Sequence, residues 1–513
     1  MSGSGKAAVD GYRSIGGSTM HCSRCSQNFS LKSNRATIEE FERQRAAFMQ
    51  GHGPACKNPE CDNHAVASPD LYQSFGKSQG GSARYRCKAC RRTFTVAMRS
   101  TLRQRHPEIN ALVLNLLVNK VPMRRICEVA NIQPAVLYSR IQFFHKQAIR
   151  FVIDRESVLR DRLCFSKLRL AVDRQDHVFN WASSGDRRNT KLSAAGSADC
   201  ESGYVFGIEL DFDPSMNPFE VDLHAREIGD YQLSGPFRRY ARFFLPGDEE
   251  GSQSVPDGVP IAEEGTKLPS TGLRIHPEYV LMGHFQFLRW LLPNVESFEF
   301  YLDQEPSIRG AFLAACLDLV AQRKADAYFV RIGKTLTIDE RKLVVAQSET
   351  HLERLQKQYP TLTRYQVARE VMRQRYLEIR EKEPNAANRW VASVLPHMGE
   401  PLKEVSCLTD WGGADANRIA SGMLSASLHP IDRFFMQLRR RVSLLERPIA
   451  SASSGHRTWH GYSAYNPEVV QRIMGVFRVI YNYCLVGKDG KTPAMRLGLA
   501  DKPIAHHEIL EFV

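Results

Sequence analysis

Two periodicities divide the chain. Between residues 107 and 150 apolar side chains recur every three or four positions, the spacing that gathers them on one face of a helix. This stretch predicts an apolar-faced helix from about Pro107 to Val118, a short helix from Met123 to Ala130, a turn at "NIQP", and a long helix through Tyr138, Ile141, Phe144 and Ile149. Pro134 falls at the first position of that long helix, where a missing N–H is tolerated. Beyond residue 160 the period changes. "KLRLAVDRQDHVFNW" alternates and runs apolar as a buried strand does, with Asp173 closing the apolar run, and "GYVFGIELDFD" has the same character. A helix with Tyr279, Phe285, Phe287, Leu288 and Leu291 on its inner face precedes the strand "FEFYLD", which ends on Asp303. A helix starts near Pro430 in "LHPIDRFFMQLRRRVSLLERP", and a last one carries Val470, Ile473, Val476, Phe477, Ile480 and Tyr481. The pattern describes a helical module followed by an α/β domain.

Other segments break the pattern. Residues 1–19 are rich in Gly and Ser and read as a disordered leader. Residues 246–272 are acidic and rich in Pro and Gly, which predicts a surface loop. Residues 347–383 form two charged helices broken at Tyr359 and Pro360, the second opening with Thr363 and Gln366 at capping-box spacing. The expected organisation is a leader over 1–19, a cysteine-rich region over 20–100, a helical module over 101–160, and an α/β domain over 161–513 that carries both insertions.

Charge points to the partner. The chain of 513 residues has a formal net charge of +13, which favours a polyanion, above all nucleic acid. Between Cys87 and Arg150 twelve Lys or Arg face only Glu108 and Glu128, so most of the excess sits in one stretch. No run of eighteen apolar residues occurs, and the first twenty residues lack the apolar middle of a secretory signal. A soluble, cytoplasmic protein is the expectation.

Twelve cysteines in such a protein read as metal ligands where clustered and as small core residues where isolated. Cys56 and Cys61 form one knuckle, Cys87 and Cys90 another, and the turn and short aromatic strand in "YQSFGKSQGGSARYRC" let them fold together. Four thiols in that arrangement predict a closed, structural Zn²⁺ site. Cys22 and Cys25 in "HCSRCSQNF" have knuckle spacing without a matching pair, leaving His21, His52 or His64 to complete a second site. Cys127, Cys164, Cys200, Cys316, Cys407 and Cys484 are isolated and read as packing residues.

The ribbon sequence "RYRCKACRRTF" mounts Arg91 and Arg92 on a rigid, metal-held surface where they can meet phosphate. The short helix, tight turn and longer helix that follow have the layout of a helix-turn-helix. Arg124 and Arg125 on the first helix, and Tyr138, Ser139 and Arg140 on the second, are its candidate contacts to double-stranded DNA. An ordinary helical hairpin is the blander account. In the tail, His456, Arg457, Trp459 and His460 lie in a loop that is free to meet DNA.

The acids carry the candidate chemistry. Asp173 and Asp303 close apolar strands, where α/β sheets build sites. Carboxylates held on a rigid scaffold suit two Mg²⁺ or Mn²⁺ ions that activate a nucleophile and stabilise the leaving oxygen of a phosphodiester. A third acid usually completes such a site. Asp432, in the first turn of the helix near Pro430, is the candidate, with Arg439, Arg440 and Arg441 two turns later along the DNA.

In order along the chain, the zinc ribbon ending in "GSARYRCKACRRTF", the helix-turn-helix, "AVD", "SADCESGYVFGIELDFD", "FYLDQEPSIRGA", "IDRFFMQLRRR" and "FRVIYNY…KTPAMRLGLA" resemble bacterial insertion-sequence transposases of the DDE type. The resemblance spans about residues 54–155 and 165–500. It implies an RNase H-like catalytic domain, a metal-dependent cut at the ends of a mobile element, strand transfer to target DNA, and a homo-oligomer on DNA. It also implies that Asp173, Asp303 and Asp432 are the three catalytic acids. The family usually has glutamate where this chain has Asp432. Glu446 is the alternative third acid, but in one continuous helix it would lie about 21 Å along the axis from Asp432. A catalytically degenerate, DNA-binding regulator descended from such an enzyme is the alternative reading.

Overall fold

The computed structural model describes residues 12–512 apart from 17, 23–27, 50–53, 59, 65–68, 80–81, 97–100, 102–103, 181–188, 251–266, 334, 385, 387, 411–414, 447–448, 451–457 and 460–463. The chain opens with a three-stranded meander, β1 (Tyr12–Gly16), β2 (Thr19–Cys22) and β3 (Asn28–Ser30), followed by helix α1 (Asn34–Met49). A second small antiparallel sheet follows, β4 (Tyr72–Lys77), β5 (Ala83–Cys87) and β6 (Thr93–Val96).

The helical module is present as expected. A 3-10 turn over Pro107–Ile109 leads into α2 (Asn110–Leu117), then α3 (Met123–Ala130) and α4 (Pro134–Asp161). Asn131 ends α3 in the left-handed conformation at φ 50°, which Asn tolerates better than most residues and which turns the chain sharply into α4. Its 28 residues make α4 long enough to serve two parts of the molecule.

The large sheet is built from β7 (Leu168–Phe179), β8 (Thr190–Asp199) and β9 (Val205–Leu210) as an antiparallel meander. A short pair of strands, β10 (Phe212–Asp213) and β11 (Leu273–Arg274), flanks helices α5 (Pro218–Glu227) and α6 (Pro246–Glu250). After α7 (Pro277–Leu291), strand β12 (Phe298–Asp303) joins β7 in parallel; after α8 (Pro306–Ala321), β13 (Ala325–Ile332) joins β12 in parallel. Two helices, α9 (Ile338–Gln358) and α10 (Arg364–Lys382), precede β14 (Val391–Ala392) and β15 (Lys403–Cys407); β15 pairs antiparallel with β13, and β14 pairs with β15 at the edge. The seven strands run in the order β14-β15-β13-β12-β7-β8-β9. The chain ends with α11 (Ala416–Ser425), α12 (His429–Arg441) and α13 (Pro467–Tyr483), followed by two short helical turns. This is a mixed α/β architecture, and among the described residues no helix is long and apolar enough to cross a membrane.

Both faces of the sheet are covered. On one, Phe285 of α7 packs edge-on to Phe300 of β12 and to Phe312 of α8. On the other, Ile431 and Phe435 of α12 approach Gly196 of β8, and Phe434 packs against Phe477 and Tyr481 of α13. Helices α10 and α11 share this second face, where Ala368, Met372, Ile419 and Met423 pack with Tyr301 and Tyr328.

The structure revises two boundaries and the character of one insertion. Residues 20–100 do not form one cysteine-rich unit, because α1 docks on the α/β body. Lys32 pairs with Glu278 at 2.8 Å, Gln44 bonds the Val280 carbonyl, and the buried Glu40 pairs with Arg242. The helical module does not separate from the α/β domain near residue 160: Val113, Ile126 and Phe144 belong to the same continuous core as Val172 and Phe477. The helical insertion has the predicted break and capping box at Thr363 and Gln366, yet α10 buries Val367, Ala368, Met372 and Tyr376 and is more than a solvated hairpin. Residues 251–266 of the expected loop lie outside the described residues.

Candidate metal centres and nucleic-acid interface

The two cysteine knuckles meet. The sulfurs of Cys56, Cys61, Cys87 and Cys90 all lie within 4.8 Å of one another, with Cys56 to Cys90 at 3.5 Å and Cys61 to Cys87 at 3.7 Å. A tetrahedral zinc with bonds of about 2.3 Å places its sulfurs about 3.8 Å apart, so the donor set fits that ion in both chemistry and size. Backbone N–H groups support the thiolates, with Asn58 donating to Cys56 at 3.5 Å and Asn63 to Cys61 at 3.4 Å. The Tyr72 hydroxyl accepts from the Cys56 N–H and donates to the Asn63 carbonyl, pinning the first knuckle against β4. Burial pushes the Cys87 thiol up, but N–H groups of Cys90 and Ala89 and the Asn63 amide outweigh it and bring Cys87 down to about 6. Burial pushes Cys56 the other way, up to about 12, so within the cluster Cys87 is a thiol primed to ligate and Cys56 must lose its proton to the metal.

The expected second site at Cys22 and Cys25 falls outside what is described: Cys25 and His52 lie outside the described residues, as does the side chain of Cys22. His21 bonds Asn28 at 2.9 Å, and His64 bridges to Cys56 through the backbone. Of the isolated cysteines, Cys316 is buried as expected, whereas Cys164 is exposed.

Two of the candidate acids stand side by side. The parallel pairing of β12 with β7 runs in register from Phe298↔Leu168 to Leu302↔Val172, so the next residues, Asp303 and Asp173, are abreast on neighbouring strands. Adjacent strands lie about 4.8 Å apart, and residues paired in register point to the same face. Asp303 is the last residue of β12. Asp173, contrary to the expectation, does not end its strand, because β7 continues to Phe179 as a hairpin arm paired with β8. Asp173 therefore sits where its parallel neighbour stops.

Helix α12 brings the third acid to the same face. Asp173 is the register partner of Gly196 on β8, and a Cβ on Gly196 would lie 3.2 Å from Ile431 Cδ1 and 3.3 Å from Phe435 Cζ. Glycine permits this close approach. Ile431, Phe434, Phe435 and Leu438 form the buried stripe of α12, which leaves Asp432, one residue from the point of contact, exposed in the first turn. From there α12 runs along β7: Arg439 adds its positive charge to burial in holding the His177 ring down to about 4. Among the described residues the four cysteines are the only metal-type group whose ligand atoms close within 4.8 Å. Asp173 and Asp303 share a face of the sheet, and Asp432 lies in the first turn of the helix packed on that face.

The start of α12 is held by a residue that pattern reading missed. Glu400 is buried, and one of its oxygens accepts from the Ser427 hydroxyl at 2.7 Å, the Leu428 N–H at 2.9 Å and the His429 N–H at 3.1 Å. Its other oxygen meets the His397 ring at 3.0 Å and the Lys403 ammonium at 3.3 Å. Burial would raise this carboxyl, but the His397 hydrogen bond and the Lys403 charge outweigh it and hold Glu400 down to about 2. The only signal in sequence was an acid in a loop about thirty residues before the helix it caps.

Glu446 is far from this cluster. Helix α12 ends at Arg441, a 3-10 turn over Ser443–Leu445 follows, and Glu446 pairs with Lys120 at 2.7 Å. The opposite end of α12 thus meets the helical module, where the Arg441 guanidinium bonds Asn119 and the Lys120 N–H donates to the Arg441 carbonyl. A helix continuing to Glu446 was the wrong expectation, because Val442 leaves α12 in an extended conformation.

The candidate DNA contacts divide by exposure. Arg91, Arg92, Arg124, Arg125, Ser139 and Arg440 are exposed, and Tyr138, Arg439 and Arg441 are half-buried. Arg124 and Arg125 both lean on Glu128, and the side chain of Arg124 remains 91% exposed. Arg92 bonds Asn58, and Tyr138 packs edge-on to Tyr465. Arg140 departs from the expectation. It is buried on the inner face of α4 and donates to the Arg105 carbonyl, so it holds the preceding loop rather than facing solvent. His456, Arg457 and His460 lie outside the described residues, as does the side chain of Trp459.

Comparison with known proteins finds no family model that matches the chain and no curated protein that matches it.

Proposed function

We propose that this protein is a DNA transposase whose ribbon and helix-turn-helix bind the ends of a mobile element and whose RNase H-like sheet cuts and joins DNA strands. The observation that carries the reading is the register that sets Asp173 and Asp303 abreast, beneath a helix that presents Asp432 to the same face. The strand order, an antiparallel meander extended by two parallel strands and then by the antiparallel β15 and β14, supports the RNase H-like reading of the sheet.

Asp173 and Asp303, fixed on two hydrogen-bonded strands, would hold Mg²⁺ or Mn²⁺ with little rearrangement, and hard carboxylate oxygens suit those ions. When bound, the pair of ions supplies Lewis-acid stabilisation of the attacking and leaving oxygens. The protein's own part is positioning. Its strands fix two acids, α12 adds the third, and the α12 arginines hold phosphate on the line from the acids to the helical module. Water is the nucleophile for the cut, and the freed 3′-hydroxyl is the nucleophile for joining.

A regulator that binds DNA without cutting it is favoured by one feature, the aspartate at position 432 on an exposed first turn, which shortens the reach of the third carboxylate by one methylene. The deciding experiment is a cleavage and strand-transfer assay with Mg²⁺ or Mn²⁺ on DNA carrying the sequences that flank the gene. Wild type is compared with Asp173→Asn, Asp303→Asn, Asp432→Asn and Glu446→Gln. Loss of both steps with the first three, and retention with Glu446→Gln, is the expected result. Wild-type protein that binds the ends and never cuts them would overturn the enzyme reading.

A further inference from the structure

The three-stranded sheet of the ribbon has two faces, and the zinc ligands account for one. Tyr72, Tyr85, Cys87, Phe94 and Val96 cluster on the metal side. The register places Gln73, Arg86 and Thr93 in one row of the opposite face, with Arg84 and Thr95 in the next. Phe75 belongs to this outer face, and from Gln73 to Lys77 every residue of β4 is exposed. The ring of Phe75 is 44% exposed, and the guanidinium carbons of Arg84 and Arg86 lie 5.5 and 5.7 Å from its centroid.

A single exposed phenylalanine is ordinary. Its surroundings are not. The bonds of Arg84 and Arg86 go to the Thr93 hydroxyl and the Arg91 carbonyl, and among the described residues no carboxylate pairs with either guanidinium. From Cys56 to Val96 seven Lys or Arg stand against three acids, and those acids, Glu60, Asp62 and Asp70, belong to the first knuckle and the turn before β4. A flat aromatic face flanked by two unneutralised planar cations complements a ligand that offers a π-face and negative charge together.

We propose that this outer face binds an unpaired stretch of nucleic acid, with one base against Phe75 and adjoining phosphates on Arg84 and Arg86. In a duplex the π-faces of the bases are stacked away, and a side chain standing on a flat sheet does not reach them. In a single strand they are available, and stacking on an aromatic side chain is tolerant of sequence. Arginine adds phosphate contacts that release counterions and make the affinity fall with salt. The assignment deepens the DNA-binding reading and rests on it only for the polyanion being nucleic acid; it requires no cleavage activity.

The test uses the full-length, zinc-loaded protein and fluorescence anisotropy with a labelled twelve-nucleotide single strand, the same strand made duplex, and the same strand with abasic sites. Phe75→Leu should weaken the single strand about tenfold and leave the duplex unchanged, whereas Phe75→Tyr should keep wild-type affinity. The abasic strand should bind wild type no better than the intact strand binds Phe75→Leu. Arg84→Gln with Arg86→Gln should lower the slope of log affinity against log salt by about 1–2. Zinc content, measured on every variant, should be unchanged because these side chains face away from the thiols. Equal single-strand affinity of wild type and Phe75→Leu would overturn the proposal. So would competition by poly-glutamate of equal charge as effective as that by the oligonucleotide, since the surface would then read charge alone. If the element ends are never cut and the Phe75 dependence is still found, the transposase reading fails and this site stands.

Discussion

The carboxylate of Glu400 accepts a hydrogen bond from the backbone N–H of His429 at 3.1 Å, and so ties a loop on the far side of β15 to the first turn of the helix that carries Asp432. Removing that carboxylate would leave Lys403 buried without its partner and two helix-start N–H groups without an acceptor. Glu400→Ala is expected to cost about 3–5 kcal/mol, the range for breaking a buried ion pair from one side. The pH dependence has a definite sign. Because Glu400 is held down to about 2, its contribution is present above the ordinary glutamate value and is lost as pH falls from there towards 2. Denaturant midpoints of wild type and Glu400→Gln, measured from pH 6 to pH 2.5, should converge with falling pH from a gap of about 3 kcal/mol. A gap independent of pH would refute the charge-based account.

Gly196 sets the height of the same helix above the sheet. A Cβ there already presses on Ile431 and Phe435, at separations where the neighbours must give by a few tenths of an ångström, and the two γ-methyls of valine would demand more. Gly196→Val should displace the start of α12 and with it Asp432, lowering cleavage at least tenfold while binding to the element ends is retained. Parallel cleavage and gel-shift titrations check this; equal loss in both would mean that the substitution damages the fold generally.

The legible part of this molecule was the part written in local patterns. Apolar periodicity placed α3 and α4, the strands around Asp173 and Asp303, and the capped start of α10 at Thr363, because each depends on residues close together in sequence. Each cysteine knuckle was legible for the same reason, and shared metal-ligand chemistry, not nearness, marked the two as partners across 26 to 34 positions. Pattern reading failed where the deciding contact is distant. Glu400 caps α12 across twenty-eight positions, Arg140 is turned inward by packing that periodicity alone does not rank, and α1 docks on α7 through Glu40 and Gln44, polar residues that would have been assigned to the surface. The apolar run stops at Asp173 as it would at a strand end, whereas pairing with β8 carries the strand on to Phe179.

Zinc should hold the four-cysteine segment and little else. The small core of Tyr72, Phe94 and the cysteines forms a cluster separate from the continuous core of the body. Cys87→Ser is therefore expected to remove one equivalent of zinc and make residues 54–96 sensitive to protease, while the remainder keeps its thermal transition. Metal analysis with limited proteolysis measures both. Collapse of the whole transition on loss of that one ion would show that the ribbon supports the body.

Glu156 and Arg478 join α4 to α13 in the interior, and they bear on whether the helical module can unfold alone. Arg478 donates to Glu156 at 2.7 Å and to the carbonyls of Val205 and Phe206, while the Tyr204 hydroxyl donates to the same Glu156 oxygen at 2.6 Å. Burial pushes the Glu156 carboxyl up, and the Arg478 charge opposes that shift. Arg478→Met should destabilise the protein by about 3–5 kcal/mol, since an acid is left buried without its cation. Adding Glu156→Leu should recover part of that loss, because a buried pair replaced whole by apolar side chains costs less than a pair broken. The same helix that presents Ser139 near its start carries Glu156 near its end, so the helical module and the sheet should unfold in one step. Urea titrations followed by circular dichroism and by tryptophan fluorescence should give coincident transitions for wild type and both variants, and two separated transitions would show a helical module that is stable apart from the sheet.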